Sequence, residues 1–123
     1  MPMINDLLLG GESVSVGLVA HAGGGQAAAL PLTSTVNVLA TVATAADSVM
    51  LPQAVLGTVG VIVDNTAGAN SCQVYGQPAT SDTINGIATA TGFAVASGKR
   101  ALFYCYQTSI GGGVGKWGSI LTA

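Results

Sequence analysis

The sequence predicts an all-β fold, an antiparallel β-sandwich of jelly-roll type carrying an extended N-terminal arm. Three observations lead there. From Thr33 onward, apolar and small polar residues alternate with a period of two, as half-buried strands do. Clusters of Gly, Asn, Asp, Ser and Pro interrupt that alternation at roughly the spacing of a sandwich or barrel. No segment holds a helical period over a useful length.

Two parts follow from this: an arm over residues 1–32 and a sandwich domain over residues 33–123. The arm opens on "INDLLLGG", with Leu7, Leu8 and Leu9 as its apolar core. A short strand, "SVSVGLVA", follows. "HAGGGQAAA" reads as a flexible tether on composition. In the domain, "TVNVLATVAT" sets Val36, Val38, Ala40 and Val42 on one face. "DSVMLP" is a short strand stopped by Pro52. "TVGVIVD" sets Val59, Val61 and Val63 on one face, and "DNTAGANS" turns the chain into "CQVYG". "DTINGIAT" holds Asn85-Gly86, a hairpin signal because both residues accept positive φ. "GFAVAS" leads into "RALFYCYQT", the clearest strand, and "GKWGSIL" closes the domain. In "RALFYCYQT", Leu102, Tyr104 and Tyr106 share one face, while Phe103 and Cys105 share the other. Both faces are apolar, so this strand expects cover on both sides, from a second layer or from a partner.

Composition narrows the function. The chain has 123 residues, 50% of them hydrophobic and only 7% charged, with a net charge of −2. A folded chain of 12.0 kDa exposes roughly 6,000 Å², about 750 Å² for each charged side chain. A surface so poor in charge adheres to neighbours, and burial against other subunits relieves it. Lys99, Arg100 and Lys116 are the only basic side chains besides His21. Neutralising a phosphate backbone takes several such contacts, so no nucleic-acid partner is expected. The uncharged stretch from Ser13 to Ala46 is broken by polar residues, and no apolar run reaches the ~20 residues of a spanning helix. No membrane partner is expected either. "MPMINDLLLGGE" has an acidic residue where a secretory signal carries basic ones.

The chemistry-bearing residues are few. His21 is the sole imidazole and sits beside "AGGGQ", where an oriented base is hard to hold. "IGGGVGKWG" matches a phosphate loop only at Gly115-Lys116; Ile110 and Trp117 occupy the positions of the first glycine and the hydroxyl. Asp47, Asp64 and Asp82 each adjoin turn residues, where an aspartate bonds its own backbone. Cys72 and Cys105 read as buried thiols, with one disulfide between them as the alternative. Zinc needs four ligands, and the chain has one histidine and no CxxC. No catalytic residue, cofactor site or metal site is therefore assigned, and the chain is read as non-enzymatic. Trp117, Tyr75, Tyr104 and Tyr106 read as core or interface anchors, with a sugar-stacking platform as the alternative.

From Val36 to Leu121 the order of short motifs resembles a module in small structural proteins of tailed bacteriophages. The matching pieces are "DSVMLP", the valine strand, "NTAGANSCQVY", "DTINGIA", "VASGKRALFYC" and "GKWG". The resemblance implies a compact β-domain without enzymatic activity that decorates or cements a capsid, commonly as a homotrimer. Its partners would be itself and the major capsid protein, and it would sit on the virion surface after assembly in the host cytoplasm. The contacts expected for such a role are Leu7, Leu8, Leu9, Tyr104, Tyr106 and Trp117. The alternative is a fibre, spike or receptor-binding module in which the aromatics face a glycan.

Overall fold

The computed structural model describes residues 13–55 and 59–122. Its ten strands are β1 (Val14–Val19), β2 (Leu30–Pro31), β3 (Val36–Thr41), β4 (Asp47–Met50), β5 (Val59–Asp64), β6 (Cys72–Tyr75), β7 (Thr83–Ile84), β8 (Phe93–Val95), β9 (Arg100–Gln107) and β10 (Lys116–Leu121). Among the described residues a 3₁₀ turn spans Pro78–Thr80. One sheet has six strands in the order β1-β3-β5-β9-β10-β7, the other four in the order β2-β4-β6-β8. Among the described residues no helix is long and apolar enough to cross a membrane.

The all-β expectation holds, but the antiparallel, jelly-roll arrangement gives way to mixed sheets. The first six strands alternate between the two sheets. β1, β3 and β5 lie side by side and parallel in one. β2, β4 and β6 do the same in the other. The chain thus winds as a flattened coil, and each crossover between parallel neighbours is a strand of the opposite sheet. Such a crossover fulfils the requirement for a long connection between parallel strands without a helix. Only the later strands pair antiparallel: β6 with β8, β5 with β9 and β9 with β10. Short β7 then runs parallel to β10.

One core lies between the sheets. The six-stranded sheet gives it Leu39, Val61, Val63, Phe103, Cys105 and Trp117; the four-stranded sheet gives Val49, Cys72, Val74 and Val95. Phe93 meets Phe103 edge to face, with centroids 5.9 Å apart, the geometry the ring quadrupoles favour.

Asparagines satisfy the backbone where the coil turns. Asn37 donates through Nδ2 to the Ser34 and Ile62 carbonyls. Asn65 donates to those of Asn70 and Val95, and Asn70 to those of Val42 and Ala43. Corners between parallel strands leave carbonyls without ladder partners, and a buried amide is well suited to take them.

The boundary at Thr33 needs correction for the described part of the N-terminal segment. Residues 14–32 supply β1 and β2, and Ala20, Ala29 and Leu32 are buried. The glycine-rich stretch is pinned rather than loose. His21 bridges Ser48 through the backbone. Ser48 Oγ donates to the Gly25 carbonyl, and Gln26 Nε2 donates to Gly76 O and Thr89 Oγ1. Residues 1–12 lie outside the described residues.

The Asn85-Gly86 turn forms as expected, with φ of 54° and 72°. It closes only an isolated bridge between Ile84 and Ile87 rather than a hairpin of full strands. Asn85 is instead tied sideways: its Nδ2 donates to Ser119 Oγ, and its Oδ1 accepts from the Ser119 amide.

Candidate functional site

The feature of the structure that a function can use is the outer face of the six-stranded sheet. Register determines its make-up. Val14 pairs with Val36, Val36 with Ile62, Ile62 with Leu102, and Leu102 with Ile120. Paired residues point to the same side of a sheet. Their chain neighbours Val61, Val63, Ala101 and Phe103 are buried in the core, so this row of five apolar side chains points away from it. Val14 and Ile120 are 61% and 59% exposed, and the three between them are half-buried.

Polar groups bound the row on one side. Asp64 pairs in register with Val38 and Arg100, and its Oδ2 accepts from Arg100 Nε at 2.9 Å. On the other side lie Tyr104, 36% exposed, and Tyr106, 52% exposed, with ring centroids 6.3 Å apart. Tyr104 lies over Gly118, whose missing side chain leaves room for the ring. At the Arg100 end Ile62, Leu102 and Ile120 line a groove of about 290 Å³ that Arg100, Ala101, Leu121 and Thr122 complete.

The outer side of the four-stranded sheet differs. Its central row is Ser48, Gln73 and Ala94. Ser48 and Gln73 are hydrogen-bonded to the Gly25 and Thr91 carbonyls of neighbouring loops.

The carboxylates of Asp47, Asp64 and Asp82 are occupied by the fold. Each accepts from a nearby threonine hydroxyl at 2.6 Å: Asp47 from Thr44, Asp64 from Thr66 and Asp82 from Thr80. Asp47 also accepts from the Thr44 and Gly23 amides, and Asp82 from the Gly115 amide. The Thr44 hydroxyl and amide outweigh burial and hold the Asp47 carboxyl below its ordinary value. Burial pushes Asp64 up, but Thr66 and Arg100 together bring it below the ordinary value. Asp47 and Asp82 are buried, so the described surface is poorer in charge than composition alone indicates.

Cys72 and Cys105 are free and buried. Burial, with Asp47 nearby, pushes the Cys72 thiol up to about 12. Burial and Asp82 raise Cys105, against a hydrogen bond at the Gln107 backbone. Neither sulfur is a nucleophile at neutral pH, since the thiolate is the reactive form. His21 is exposed. Among the described residues no group of three or more His, Cys, Asp or Glu is placed to hold a metal ion.

Of the contacts expected from sequence, Tyr104 and Tyr106 lie on the outer face. Trp117 does not: it is fully buried, paired in register with Cys105 and Ile84. Its alternation along β10 turns it inward, so it is a core residue, and the contact role assigned to it is withdrawn. Leu7, Leu8 and Leu9 lie outside the described residues. Sequence reasoning missed Val14, Val36, Ile62 and Ile120. The signal for them was the doubly apolar character already noted in β9, which extends to its neighbours. No protein-family model, curated protein or solved structure matches the chain.

Proposed function

We propose that this chain is a structural protein of a phage particle that decorates or cements the capsid, acting by self-association and by contact with the major capsid protein rather than by catalysis. The supporting observation is the surface. A continuous apolar row crosses five strands of one sheet, while the carboxylates of Asp47 and Asp82 are spent inside the fold. A surface of 6117 Å² with so few free ions gains by being covered. The motif order from Val36 to Leu121 supplies the phage setting. Counting copies on purified particles by quantitative mass spectrometry tests the reading. Hundreds of copies per particle are expected, and absence from particles would refute it.

The exposed Tyr104–Tyr106 pair favours one alternative, a fibre or spike module that stacks a sugar on those rings. A handful of copies per particle, with glycan binding lost in Tyr106→Ala, would select it.

A further inference from the structure

We infer that the outer face of the six-stranded sheet is where a second copy of this chain packs, face to face and about a twofold axis. The inference rests on the assembly reading only in needing self-association.

The edges of the sheets are poor alternatives. β1 is irregular, with register shifts on both sides of Leu18 and Gly17 at a φ of 70°. β2 is two residues long and ends in Pro31, β7 is also two residues long, and β8 has three. Bulges, proline and shortness are the devices that keep strand edges from pairing with other chains. The face carries no such protection.

Its size suits a copy of itself. Five strands at about 4.8 Å, and roughly 20 Å along β9, give a flat face of about 500 Å². Two such faces together come to about 1,000 Å², the lower bound expected of a specific contact. Its relief is self-complementary. The groove lies at the Arg100–Leu102 end of β9, and the Tyr104–Tyr106 projection lies at the other end of the same strand. A twofold axis crossing β9 near Phe103 sets the tyrosines of each copy over the groove of the other. Such an interface is isologous, the commonest kind in homo-oligomers. The polar Asp64–Arg100 pair then falls at the rim, where interfaces are polar.

Light scattering on the purified full chain tests this. The expected mass is twice the 12.0 kDa of one chain. Ile120→Lys places a charge on the exposed row without touching the core, and should weaken association on the order of 30-fold or more. Tyr106→Lys, at the far end of the face, should do the same and guards against misfolding of the first variant. Ala94→Lys, exposed on the other sheet, should leave the mass unchanged. A monomer, a trimer, or a dimer indifferent to both face substitutions would overturn the pairing. Absence from particles with the dimer intact would instead overturn the virion reading and leave the pairing standing.

Discussion

Two glycines three residues apart on the same stretch should respond very differently to an added methyl group. Gly115 is buried against the Asp82 loop; a Cβ there would lie 2.5 Å from Ala54 Cβ and 2.6 Å from Asp82 Cγ. Both neighbours are fully buried, and the Gly115 amide donates to Asp82 Oδ1 at 2.9 Å. Neither can withdraw without opening the core or breaking the Thr80–Asp82–Gly115 clamp. Overpacking costs about 1–3 kcal/mol, and a hydrogen bond to a charged group contributes about 1.5–3 kcal/mol. Gly115→Ala should therefore cost about 3 kcal/mol. At Gly118 the atoms nearest an added Cβ are Cζ, Oη and Cε2 of the Tyr104 ring. That ring is partly exposed and can swing off the sheet. A strand glycine also carries its own entropic cost of roughly 0.5–1 kcal/mol relative to alanine. Gly118→Ala should cost less than about 1 kcal/mol. For a chain this size 1 kcal/mol is worth roughly 4 °C in Tm, so calorimetry should place the two variants about 8 °C apart or more. Equal melting temperatures, or a larger loss in Gly118→Ala, would refute the packing argument.

Acid should act through the aspartate–threonine clamps. Asp47 and Asp64 titrate below their ordinary value of 3.8 in the fold, so the stability they contribute is complete above that value and is lost as pH falls through their folded values. Urea midpoints should be flat from pH 7 to about 5 and drop below about 4; a decline already complete by pH 5 would contradict this. Deleting residues 1–12 removes none of the described strands and should leave a cooperative unfolding transition. Deleting residues 1–20 strips β1 and the buried Ala20 and should abolish that transition, as judged by circular dichroism; retention of a native melt would show that β1 is dispensable.

Strand positions were readable in the sequence because side-chain alternation is a local property. "TVNVLATVAT", "TVGVIVD" and "RALFYCYQT" all contain strands, and Phe103 and Cys105 turn inward as their alternation required. Strand direction was not readable. A period of two is identical in parallel and antiparallel ladders, and only the connections tell them apart. Here the connection between β3 and β5 is disguised, because its middle is β4, which looks like the next strand of a meander. The Asn85-Gly86 turn pointed the wrong way for the same reason: it signalled a tight turn correctly, but its flanks pair elsewhere, Ile84 with Trp117.

The candidate surface was legible only in part, and the reason lies in what valine and isoleucine do. They favour strands on either face of a sheet, so a run such as Val36, Val38, Ala40 does not announce which side is core. In β3 the core side proves to be the one with Asn37 and Leu39, and the valines face outward. A buried asparagine is improbable on composition grounds and becomes stable only because the coil presents the Ser34 and Ile62 carbonyls to its amide. That contact depends on β3 and β5 being parallel neighbours, which sequence alternation does not encode. Tryptophan misled for the converse reason: its size suggests an interface anchor, but its position in β10 is set by register with Cys105. The apolar outer row and the polar inner asparagine are thus two consequences of one winding. Once the strands alternate between sheets, the chain must satisfy corner carbonyls from within, and it leaves Val14, Val36 and Ile62 to be covered from outside.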